Sequence, residues 1–115
     1  MILYDKIQEA LAKVYEEYFI FVEDIFREEF NCTLDTLRSK SRKTPLPYLR
    51  LIYTNYFNNK GVSYQSIAKR LNKNHSTLVI MLNKYNDYYK YIPEFRELAD
   101  RFNNKLKEIQ DGTNK

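Results

Sequence analysis

Ile7, Leu11, Val14, Tyr18, Phe21, Val22 and Ile25 follow one another at steps of three and four residues, with glutamates between them. That spacing lines one face of an α-helix, whereas a strand would need alternation with a period of two. The same rhythm returns directly after Pro93, at Phe95, Leu98, Phe102, Leu106 and Ile109. Alternating Val, Ile and Thr are nowhere sustained, and 115 residues contain two glycines and three prolines. An all-α chain with one core of modest size is therefore expected.

Local signals divide the chain further. The first 30 residues are helical, as one helix or as two joined near Phe19 to Phe21, because "YFIF" is apolar on every face. Thr33 is placed to cap a short helix carrying Leu34 and Leu37, and "RSKSRKTPLP" then forms an exposed basic loop. A helix from Pro47 to about Asn58 should bury Leu49, Ile52, Tyr53 and either Tyr56 or Phe57, and "NNKG" ends it on a glycine. Ser63 caps a helix from Tyr64 to Leu71, "NKN" makes a polar turn, and a further helix starts at His75 and runs to near Tyr89. Residues 1–21 are expected to form an acidic helical extension packed on a domain of residues 22–110, with 111–115 a frayed tail.

Charge is distributed unevenly. Residues 1–38 carry nine acidic and four basic side chains, whereas residues 39–91 carry ten basic and one acidic, Asp87. A net +9 over that middle segment is the footprint of a polyanion-binding surface. Cys32 is the only cysteine and His75 the only histidine, which excludes an intramolecular disulfide and a dedicated Cys/His metal site within one chain. No run of about 18 apolar residues occurs, and "MILYDKIQEA" lacks the basic start and small-residue cleavage site of a leader. A soluble protein of the cytoplasm, without a membrane partner, is expected.

Within the basic segment, a short helix, a three-residue turn and a second helix have the layout of a helix-turn-helix, whose second helix enters the DNA major groove with its N-terminal residues at the base edges. Leu78, Leu82 and Tyr85 form the buried stripe of that second helix, with Met81 beside it, so His75, Ser76, Val79 and Asn83 face outward. Asn74 sits at the N-cap position, and His75, Ser76 and Thr77 form a first turn whose free backbone N–H groups favour a phosphate. Val79 is placed to meet a thymine methyl, and Lys69, Arg70, Lys73 and Lys84 surround the turn as phosphate ligands. Taken singly, "NHST" is equally an ordinary capped helix start and "SKSRK" a solvated loop; their joint position in the basic segment favours nucleic acid. Most of the eleven tyrosines fall at helical spacing and are assigned to packing rather than base stacking.

"SKSRK" at Ser39 to Lys43, followed by a helix and by "SYQSIAKRL" and "NHSTL" between Ser63 and Leu78, resembles the C-terminal DNA-binding domain of the bacterial chromosomal replication initiator DnaA. The similarity spans roughly residues 22–91. It implies a helical bundle with a Trp-repressor-like helix-turn-helix, here with an extra N-terminal and a C-terminal helix, binding duplex DNA in both grooves. By the same resemblance Arg42 matches an arginine inserted into the minor groove, Asn74, His75, Ser76 and Thr77 the major-groove cluster, Val79 an apolar base contact and Lys84 a phosphate contact. Lys40, Lys43, Lys69 and Lys73 are expected to add phosphate affinity, and Arg50 alone represents the basic start of the family's preceding helix. Asn74 stands in place of the family's aspartate, and "NK" in place of a glycine pair in the turn.

The expected function is sequence-specific binding of double-stranded DNA, in replication origin binding or transcription control, without catalysis. No GxxxxGK[ST] phosphate loop occurs, so no nucleotide or other cofactor is expected. The alternative is a helical protein-interaction module that kept the fold and lost DNA binding, with the acidic N-terminal helix as its partner surface.

Overall fold

The computed structural model describes the backbone of residues 2–113 and the side chains of residues 3 and 5–110. Among the described residues all regular structure is helical: α1 (Ile2–Phe30), α2 (Leu34–Arg38), α3 (Leu46–Asn59), α4 (Tyr64–Leu71), α5 (His75–Leu82), α6 (Tyr85–Tyr91) and α7 (Pro93–Thr113). The all-α class follows. The N-terminal segment is one helix, and 111–113 continue α7 instead of fraying; the last two residues lie outside the described ones.

The core forms where α3 meets the second half of α1 and α7. Phe26 packs edge-on against Tyr53 and Phe102, at ring-centroid distances of 5.6 and 5.1 Å, and Phe19 lies 4.7 Å from Phe57. These rings, with Leu37, Leu49, Ile67, Leu71 and Leu78, are buried from water, and each buried side chain of this size contributes about 1.5 to 3 kcal/mol by leaving solvent. Cys32 is buried among them, and burial pushes its thiol up from the usual range.

Three helices end in a similar way, with a residue in the left-handed region followed by a backbone N–H that bonds back into the last turns, six residues after α1 and five after α3 and α4. After α1 the residue is Asn31 (φ 53), with Cys32 N–H donating to Phe26 O; after α3 it is Gly61 (φ 85), with Val62 N–H on Phe57 O; after α4 it is Asn72 (φ 55), with Lys73 N–H on Ala68 O. Asparagine tolerates this conformation better than most side chains, which is how a chain with two glycines makes three such stops. Gly61 has open space around it, so Gly61→Ala meets no clash and suffers only backbone strain. A loss of about 1 kcal/mol in urea unfolding is expected.

Two expectations about extent need correction. α5 does not reach Tyr89: the chain tightens at Asn83 and Lys84, where Lys84 N–H bonds to Met81 O, and α6 starts afresh at Tyr85. After the change of direction Tyr85 and Tyr88 both pack on Phe95, and Tyr48 touches Tyr88 and Phe95 alike. Nor does the whole of residues 1–21 pack on the rest. No helix break marks position 21, contacts with the core start at Tyr15, and Leu3, Ile7, Leu11 and Val14 remain exposed, Leu3 at 72% and Val14 at 57%. The 29 residues of α1 rise about 44 Å, and only their second half lies on the core.

Candidate nucleic-acid interface

The basic loop between α2 and α3 is held by charge-assisted bonds from below. Arg50, on the first half of α3, is 7% exposed, and its guanidinium donates through Nε to Leu37 O (2.8 Å), Nη1 to Ser41 O (2.7 Å) and Nη2 to Ser39 O (2.7 Å). Burial holds its pKa below the ordinary arginine range. Lys73, in the turn after α4, donates to Ser39 O (2.8 Å) and Arg38 O (3.2 Å), and Arg38 Nε donates to Arg70 O (2.7 Å). Ser39 O thus accepts from both α3 and the α4–α5 turn, so the loop and that turn form one hydrogen-bonded unit. Burial first, then the positive fields of Arg50 and Lys40, push the Lys73 ammonium down from the usual lysine range.

α4 is fastened to α1 in turn. Arg70 pairs with both carboxylate oxygens of Glu23, Nε to Oε2 at 2.9 Å and Nη2 to Oε1 at 2.8 Å, and the Tyr53 hydroxyl donates to Oε2 at 2.6 Å. Hydrogen bonding to Glu23 raises the Arg70 pKa, while burial, reinforced by Glu23, raises the Tyr53 phenol far above its usual value. Both partners are mostly shielded from solvent, so this pair is a structural clamp and Arg70 is not an exposed phosphate ligand.

The predicted site residues divide accordingly. Lys40, Arg42 and Lys43 lie exposed on the loop, Lys69 is exposed on α4 and Lys84 follows α5. At the start of α5, Asn74, His75, Ser76 and Thr77 are all exposed, and Leu78 closes the core beneath them. Asn74 occupies the cap position with extended backbone (ψ 140), but its side chain makes no cap hydrogen bond, leaving the amide in solvent. The His75 ring stands edge-on to Tyr64, the first residue of α4, at 5.4 Å, which orients the imidazole from the side. Val79 is half-buried, whereas Ile80, a neighbour not anticipated, is 58% exposed. Arg50 does not belong with the exposed cations: its donors are engaged by the loop it supports. Its signal was present in the spacing, since Arg50, Tyr53, Thr54 and Phe57 share one helical face and the last three are buried.

The loop and α5 also meet across a cavity of about 500 Å³. Lys40, Arg42, Arg50, Lys73 and Lys84 line it together with Thr77, and among the described residues no carboxylate does. Both predicted contact elements therefore border one positively charged recess, and an anion placed there would meet several cations at once. Among the described residues no group of three or more His, Cys, Asp and Glu is placed to hold a metal ion, and no helix is long and apolar enough to cross a membrane.

The tyrosine-rich segment after α5 is mostly packing. Tyr88 packs edge-on against Tyr48 and Phe95, which also touch each other, Tyr89 stacks on Tyr85 and donates to Asp100 Oδ1 at 2.6 Å, and Tyr91 is exposed with the Lys90 ammonium over its ring. Comparison with protein-family models, with curated proteins and with solved structures returned no match.

Proposed function

We propose that this chain is a non-enzymatic, sequence-specific binder of duplex DNA, with α4 and α5 as a helix-turn-helix of the kind its residues share with the DnaA C-terminal domain. The observation that supports the reading is the shared recess: the basic loop is tied to the turn before α5 through Lys73, and loop residues and Thr77 of α5 border a common volume lined, among the described residues, by five cations and no acid. In this reading His75, Ser76 and Thr77 meet base edges in the major groove, and Arg42 reaches the adjoining minor groove. Lys40, Lys43, Lys69, Lys73 and Lys84 bind phosphates, with Lys73 already oriented by its two carbonyl partners. Asn74, free of a capping bond, is a further base-edge donor and acceptor. A role in replication or transcription control within the cytoplasm accords with this activity.

Selection of bound sequences from a random duplex pool tests the reading, with an enriched motif as the expected outcome. His75→Ala should then cost about 1 to 3 kcal/mol on the selected site and relax preference at one position. Lys84→Gln should weaken all sequences alike and reduce the slope of log affinity against log salt by about 0.9. Unchanged discrimination by His75→Ala in a competition assay would remove the major-groove assignment.

A second reading, a helical protein-interaction module, is favoured by a different observation. Leu3, Ile7, Leu11 and Val14 leave an apolar stripe exposed on the part of α1 that extends beyond the core, in the acidic third of the chain. No shift of any duplex at low salt would favour that reading over DNA binding.

A further inference from the structure

The recess between the basic loop and α5 is more than a charged surface, because its floor is apolar. Leu51 and Pro47 of α3, Met81 of α5 and Tyr88 of α6 line it beneath the cations. Of those cations, Arg50 and Lys73 donate to loop carbonyls, while the side chains of Lys40, Arg42 and Lys84 make no hydrogen bond among the described residues and remain available to a ligand. A volume of about 500 Å³ falls within the range of small-molecule sites. Such sites combine apolar walls with a few charged groups that orient the ligand.

We infer that this recess binds a free mononucleotide, its phosphate held by Lys40, Arg42 and Lys84 and its base lying over Met81, Leu51 and Tyr88. A phosphomonoester suits the site better than a carboxylate, because it brings close to two negative charges and three acceptor oxygens to a cluster with no acid of its own. The planar base supplies the apolar body that inorganic phosphate lacks. The missing phosphate loop bears on nucleotide triphosphate hydrolysis and not on this mode, which draws on side-chain cations and uses no glycine-rich backbone. The inference goes beyond the duplex reading and stands without it, although a mononucleotide here would compete with any phosphate strand passing between the loop and α5.

Calorimetric titration of the full chain, without DNA, with adenosine 5′-monophosphate, adenosine and inorganic phosphate tests it. The expected result is binding of the monophosphate at least about tenfold tighter than either fragment. Lys40→Gln and Lys84→Gln, both at exposed positions, should each weaken it at least about fivefold with the unfolding midpoint unchanged. Met81→Ala should weaken the monophosphate and leave inorganic phosphate as it was. Equal affinity for the monophosphate and inorganic phosphate, or insensitivity to both Lys40→Gln and Lys84→Gln, would overturn it. Because the titration contains no DNA, its failure leaves the duplex reading intact, and absence of duplex binding leaves a positive titration intact.

Discussion

Arg50→Met is expected to lower the stability of the fold by about 3 to 5 kcal/mol, the range for removing one partner from a buried, charge-assisted network. The guanidinium reaches three carbonyls, Leu37 O, Ser39 O and Ser41 O, that diverge around one plane. Met fills much of the stem's volume but supplies no donor, so Ser39 O keeps only Lys73 and the other two must find water or move. Arg50→Lys should rescue little, because one ammonium cannot replace a fork with three directed donors. Urea unfolding gives the stability change, and amide exchange should quicken at Ser39 and Lys43, whose N–H groups bond to Thr36 O and Ser41 Oγ. A cost below about 1 kcal/mol would mean that the loop holds its shape without Arg50. In the proposed function the same change weakens DNA binding through the loop's position, since Arg50 is not an exposed ligand.

Glu23→Leu is the second large effect, also about 3 to 5 kcal/mol, because it strands the Arg70 guanidinium and the Tyr53 hydroxyl together. The two ions are 10% and 19% exposed, shielded enough that the loss is not offset by hydration as it is at a surface pair. A double-mutant cycle separates the pair from its parts: Glu23→Leu with Arg70→Met should be less destabilising than the sum of the single changes, by at least about 1.5 kcal/mol. Additivity would show that the pair contributes through packing alone. The clamp matters to the interface because Arg70 O also receives Arg38 Nε, so the end of α4, the loop and the turn before α5 share one anchor on α1.

Helix starts were legible in the sequence because a start is a local event. Thr33 and Ser63 accept from the backbone N–H three residues on, as their position implied, and His75 and Pro93 open their helices at the expected residues. What lay outside sequence reasoning was settled by partners far along the chain. Glu23 and Arg70 are 47 residues apart, and nothing local distinguishes Arg70 from its exposed neighbour Lys69. Arg50 follows a basic loop and is expected by the resemblance among the DNA-binding cations, although its helical face turns it inward. The end of α5 depended on where Tyr85 and Tyr88 find Phe95, a tertiary contact that overrides a periodicity running on past Leu82. Asn74 illustrates the limit of a cap signal: its position was predicted, its hydrogen bond was not formed.

These structural ties hold the basic loop to the turn before α5, and the proposed ligand of that surface is duplex DNA. The most direct measurement is a mobility-shift titration of the full chain against random-sequence duplex at about 50 and 200 mM salt, using the counterion-release dependence as the readout. With Arg42, Lys40, Lys43, Lys69, Lys73 and Lys84 all at phosphates or in the grooves, the account predicts a clear shift at the lower salt and an affinity roughly a thousandfold weaker at the higher. No shift at the lower salt, or an affinity indifferent to salt, would contradict it.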